Sequence, residues 1–138
     1  MMGSAPPEAA PMLQHLRCAD DDPDMRMILE VALETVGGWR VTMCADGEEA
    51  LAAARADRPD LMLLDASMPG IDGPSTLALL RADPDLAEVP VVFVTGQAAP
   101  EDVEAFLAAG GLAVFTKPFN PMELPARLRA VRDARPSA

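Results

Sequence analysis

The chain has 138 residues, half of them apolar, which suffices for one well-filled core and excludes two. Its 22 acidic residues against 11 basic ones leave a formal charge of -11, which argues against a nucleic-acid or anionic-membrane surface and suits cations or basic partners. Cys18 and Cys44 lack the spacing of a metal site or a disulfide framework, so a reduced cytoplasmic thiol pair is expected.

The first dozen residues, MMGSAPPEAAPM, hold three prolines and no basic n-region, and so fit neither a signal peptide nor a membrane span. Residues 1–12 are expected to be a disordered leader and residues 13–135 the folded domain. Leu13 to Ala19 reads as a first strand, although Gln14, His15 and Arg17 make it polar. A buried unpaired guanidinium is costly, so Arg17 is expected to snorkel to an edge or pair with an acid, and His15 to lie at the surface. Asp20, Asp21 and Asp22 follow, with Asp22 as N-cap, Pro23 at the first helical position, and Met25, Ile28, Leu29, Ala32, Leu33 and Val36 at helical spacing as far as Gly37. Met25 and Met27 read as core filler. Arg40 to Cys44 is a second strand, and Asp46 with Glu49 three residues on is a capping-box-like start for a helix ending near Arg55.

The stretch from Asp60 to Gly73 is the most informative. Leu61 to Leu64 suit a strand buried on both faces; the run stops on Asp65, and the turn-formers Pro69, Gly70 and Gly73 follow. In an open parallel sheet ligands bind beyond the carboxyl ends of the strands, which places Asp65 for chemistry, against the plainer reading of an Asp that starts a turn. A helix over Pro74–Ala82, a strand over Val91–Thr95 and a helix from Pro100 follow, the last with Val103, Phe106 and Leu107 on its apolar side. Leu112 to Thr116 makes a fifth strand. After Lys117 and Pro118, a final helix is signalled by Asn120, Pro121 and Glu123, with Leu124, Leu128 and Val131 inward. Arg127, Arg129, Arg132 and Arg135 read as a solvated face, and Pro125 should delay or kink the start. No output, kinase or DNA-binding domain is expected beyond it. Five strands alternating with five helices imply an α/β fold, a doubly wound five-stranded parallel sheet built as (βα)5.

Asp20 and Asp21 after strand one, Asp65 after strand three, Thr95 after strand four and Lys117 after strand five then share one edge. Neighbouring strands lie about 4.8 Å apart, so if strands one and three are neighbours, three carboxylates meet. Two carboxylates about 4 Å apart repel by roughly 4 kcal/mol at an effective dielectric near 20, which calls for a cation. Mg²⁺ fits best, because it takes a few hard oxygen ligands and keeps waters that a phosphoryl group can replace. Lys117 offers a compact positive charge and Thr95 a hydroxyl donor.

The motifs DDDPD, LLDASMPGIDG, VVFVTG and FTKPF, in this order, resemble those of the response-regulator receiver domain of two-component signalling, from about Leu13 to Asp133. The resemblance implies a flavodoxin-like strand order 2-1-3-4-5. It implies Asp65 as phosphoacceptor, Asp20, Asp21, Asp65 and the backbone carbonyl of Ser67 as ligands of Mg²⁺, and Thr95, Gly96 and Lys117 as the phosphate-binding switch. Ser67 and Gln97 would tune the lifetime of the phosphate. The implied partners are a histidine kinase or histidine phosphotransfer protein and a downstream protein, with no nucleic acid and no membrane. A cytoplasmic single-domain regulator is thus expected, and no enzyme beyond its own phosphotransfer and dephosphorylation. Its signalling face would be helix four, strand five and helix five.

Two rivals stand beside this. One is a degenerate receiver used as a phosphorylation-independent interaction module; the other is a phosphatase with an aspartyl nucleophile, which would want an acid where Ser67 stands. The chain departs from the family at Val114, three residues before Lys117, where an aromatic is usual. Phe115 comes one residue later, on the other face of the strand, so switching would rely on the loops after strands three and four.

Overall fold

The computed structural model describes residues 14–96 and 99–134. Five strands, β1 His15–Ala19, β2 Arg40–Cys44, β3 Leu61–Asp65, β4 Val91–Thr95 and β5 Ala113–Thr116, form one parallel sheet in the order β2-β1-β3-β4-β5. The helices are α1 Pro23–Glu30, which runs on into a π-helical segment Val31–Val36, then α2 Gly47–Ala56, α3 Gly73–Ala82, α4 Pro100–Ala108 and α5 Leu124–Asp133. The expected α/β fold and strand order are those observed.

Side chains alternate across a strand, so each strand feeds two cores. Leu61 and Leu63 join Leu16, Leu33, Val92 and Leu128 under α1 and α5, while Met62 and Leu64 join Leu51, Leu77 and Phe93 under α2 and α3. This two-sided burial is why four apolar residues run together in β3. Phe115 lies in the first core and Val114 packs against the second, on opposite faces of β5.

Local signals place the helix starts. The Asp22 side chain accepts from the Asp24 N–H at 2.9 Å, and that of Asp72 from the Ser75 N–H at 2.8 Å. The Asp46 side chain accepts from the Glu49 N–H at 2.8 Å, while Glu49 reaches back to the N–H of Ala45 at 3.0 Å. Pro125 does delay α5: residues 121–123 form a turn held by Asn120, and Pro125 then sits in the first helical turn, where no N–H is needed.

Several expectations are corrected by packing. The helix from Pro23 does not stay α-helical: the Gly37 N–H bonds the Ala32 carbonyl at 3.0 Å, a wider turn that leaves Val36 at the surface. Contacts from β2 and α5 accompany it. A side chain at Gly37 would meet the Trp39 ring at 2.7 Å, and Arg129 both donates to the Gly37 carbonyl at 2.7 Å and lies 4.4 Å over Trp39. Met27 is 64% exposed, because two residues beyond Met25 is about 200° round a helix. Leu107 is 45% exposed, since α4 is held through Phe106, whose ring lies 5.3 Å from that of Phe93. The arginines of α5 are not simply solvated either: Arg127 lies 4.4 Å over Phe115. Leu13, Arg135 and the leader lie outside the described residues.

His15 and Arg17, each 3% exposed, are buried beneath α2, which packs over β1 and β2. His15 Nε2 hydrogen-bonds with Thr42 Oγ1 at 3.0 Å, and its pKa is lowered, by burial first and then by Arg40 and Arg17. Among the described residues Arg17 finds no carboxylate: it donates to the Asp57 backbone carbonyl at 2.9 Å, and its buried Nε has no partner. Replacing a buried charge by an apolar side chain of similar volume is often stabilising, so Arg17→Met is expected to raise stability by about 1 kcal/mol in urea melts. A loss of that size would show that the guanidinium holds α2 in place.

Candidate functional site

The β1–β3 register, Ala19 beside Leu64, sets Asp20 next to Asp65 at the carboxyl edge of the sheet. Asp20 is buried. Its Oδ1 accepts from the Asp22 N–H at 2.9 Å and its Oδ2 from Lys117 Nζ at 2.8 Å. Asp65 Oδ1 accepts from the Ser67 N–H at 3.2 Å, and Oδ2 from the same Lys117 ammonium at 3.2 Å. Asp21 is exposed, yet one carboxylate oxygen from each of Asp20, Asp21 and Asp65 lies within 4.8 Å of the others.

Burial raises the Asp65 pKa, helped by the charge of Asp20 and opposed by the Ser67 N–H and by Lys117. For Lys117, burial alone would favour the neutral amine; hydrogen bonds and charges from Asp20 and Asp65 outweigh it and raise its pKa. The ammonium is therefore firmly charged. Its backbone N–H donates to the Thr95 carbonyl at 2.8 Å, which ties the end of β5 to the end of β4, and the Lys117–Pro118 peptide is cis.

Thr95 is buried at the end of β4, and Gly96 beyond it is exposed, with none of the described residues within 4 Å of where a side chain would start. Ser67 is exposed beside Asp65. Gln97 lies outside the described residues. Val114 is half-buried on the α4 side, and the ring of Phe115 is held under Arg127, away from Val114. The all-oxygen set of Asp20, Asp21 and Asp65 suits a hard divalent cation such as Mg²⁺.

Two residues at the site escape sequence reasoning. Arg26 donates to the Asp20 carbonyl at 2.7 Å, and nothing in the chain distinguishes an arginine folded back from one in solvent. Gly73 reads as a turn-former, but it is needed for space: a side chain there would begin 2.6 Å from the Asp65 carbonyl oxygen.

The chain belongs to the response regulator receiver domain family, whose sequence model matches residues 16–129. It is 40% identical over 119 residues to the DNA-binding response regulator MtrA of Mycolicibacterium smegmatis, covering 86% of this chain and 50% of that protein. It is 42% identical over 113 residues to the probable transcriptional regulatory protein TcrX of Mycobacterium tuberculosis, covering 81% and 47%. The chain thus spans about half the length of the curated relatives it matches. Among solved structures, the chemotaxis response regulator CheY4 of Vibrio cholerae superposes with a TM-score of 0.80 at 29% identity, covering 87% of this chain and 99% of that one. The receiver domain of sensor histidine kinase PA1611 from Pseudomonas aeruginosa gives 0.79 at 32% identity, with 89% and 100% covered, and has a magnesium ion coordinated in its active site cleft. Receiver domains typically bind Mg²⁺. Among the described residues no helix is long and apolar enough to cross a membrane.

Proposed function

We propose that Asp65 accepts a phosphoryl group from the phosphohistidine of a histidine kinase or histidine phosphotransfer protein, and that the two states of the domain are read by a protein partner. The observation that carries this is one ammonium shared between Asp20 and Asp65, at 2.8 and 3.2 Å, beside three converging carboxylates. An Asp65 oxygen attacks phosphorus while the bond to the imidazole nitrogen breaks and its electron pair returns to the ring. Mg²⁺ held by Asp20, Asp21, Asp65 and the Ser67 carbonyl would neutralise charge on the transferred group.

Lys117 turns from Asp65 to a phosphoryl oxygen, and the Thr95 hydroxyl donates to another. Gly96 carries no side chain to bar the approach of water, so the acyl phosphate hydrolyses and the switch resets. With Val114 where the family has an aromatic, the signal reaches α4, β5 and α5 through the loops after β3 and β4, as a shift between two packings. DNA binding is stated for the relative MtrA; for this domain, with its formal charge of -11, the signal leaves by protein contact.

Incubation with acetyl phosphate, followed by intact mass measurement, tests the reading. A single phosphoryl adduct that forms with Mg²⁺ and not in EDTA is expected. No adduct with excess donor and Mg²⁺ would leave a phosphorylation-independent interaction module in its place.

A further inference from the structure

We infer that Arg26 is a positioning residue for the cation pocket, which sets the Asp20–Asp21 peptide and through it the Asp21 carboxylate; this rests on the reading of that pocket as a Mg²⁺ site. Asp20 is held at four points. Its N–H donates to the Cys44 carbonyl at 3.1 Å, its carboxylate oxygens accept from Asp22 and Lys117, and its carbonyl accepts from Arg26 Nη1 at 2.7 Å. The Cys44 and Lys117 contacts place Asp20 itself and the Asp22 contact closes a turn around Asp21, while the fourth fixes the peptide through which Asp21 leaves the strand. The Asp20 carbonyl and the Asp21 N–H share one rigid plane, so pinning that oxygen fixes the direction in which Asp21 leaves the strand.

Asp21 needs such a device. It is exposed, and among the described residues no hydrogen bond holds its carboxylate, yet an oxygen of it lies within 4.8 Å of the Asp20 and Asp65 ligand atoms. Only its backbone keeps it there. Arg26 can act from a fixed base, because its own N–H bonds the Asp22 carbonyl at 3.0 Å within the first turn of α1 and its side chain is half-buried.

Charge and geometry predict opposite signs for its removal. A guanidinium beside an acidic pocket repels an incoming cation, so if Arg26 were only a nearby charge, neutralising it would tighten Mg²⁺ binding. As a positioning residue, its loss loosens Asp21 and weakens binding. Titration of the full chain with MgCl₂ by calorimetry, with melting in EDTA as the folding control, separates these.

Arg26→Gln is expected to bind Mg²⁺ roughly tenfold more weakly, the lower end of what outer-shell partners contribute. Arg26→Lys, whose ammonium still donates to the carbonyl, should fall between Gln and the parent. A Gln variant that binds as tightly as the parent or more tightly overturns the inference alone, as does a Lys variant no better than Gln. A parent chain that takes up no Mg²⁺ overturns the metal reading and the inference with it.

Discussion

Asp65→Asn should abolish labelling by acetyl phosphate or by a cognate kinase, and in EDTA at neutral pH it should melt above the parent. The first effect follows because the carboxamide offers no anionic oxygen to attack phosphorus. The second follows from where the carboxylate sits. Its pKa is raised above the ordinary 3.8 by burial and by Asp20, against the Ser67 N–H and Lys117. The unfolded chain therefore gives up this proton at lower pH than the folded one. Stability from Asp65 is fully present below the ordinary value and is lost as pH rises through the folded pKa, so the ionised group weighs against the metal-free fold at neutrality. Lys117 keeps its 2.8 Å contact with Asp20 in the variant. Calorimetry in EDTA should show the gain of the variant shrinking toward pH 4. A variant labelled like the parent would place the phosphoacceptor elsewhere.

Gly73→Ala should cost about 2–3 kcal/mol, as overpacking does, and should slow labelling at Asp65 on the order of 100-fold if the phosphoacceptor moves by about 1 Å. A β-carbon at 73 would lie 2.6 Å from the Asp65 carbonyl oxygen, 2.9 Å from Ala66 Cα and 3.0 Å from Phe93 Cε1. The first two are backbone atoms and cannot rotate aside. The Phe93 ring is itself confined, with Phe106 at 5.3 Å and the space beside Gly111 filled to 2.8 Å. The start of α3 must therefore move outward and strain the end of β3. Gly96→Ala, with none of the described residues within 4 Å, is the control and should fold as the parent does. Urea melts and adduct formation rates for both variants check this; a Gly73→Ala protein that matches the parent in both would mean that the loop after β3 absorbs the methyl group.

Short-range chemistry made much of this protein legible from its residues. The run Leu61–Leu64 ending on Asp65, the Asp caps at 22 and 46, and Pro125 in the first turn of the last helix all act within a few residues of themselves, and each lies where the chain signalled it. The candidate site was legible for a related reason: in a parallel sheet every strand ends at the same edge, so polar strand-end residues converge once the strand order is known.

Tertiary structure decided how each element is turned and covered, which periodicity within one element does not encode. His15 and Arg17 are buried because β1 lies between two strands and under α2. Met27 and Leu107 stay exposed because no element among the described residues covers their sides of α1 and α4. The wider turn before Gly37 goes with Trp39 and with Arg129, which is 92 residues from Gly37. A hydrogen bond between distant segments forms only after the core has set the distance between them, and so leaves no mark on the local pattern of residues that make it.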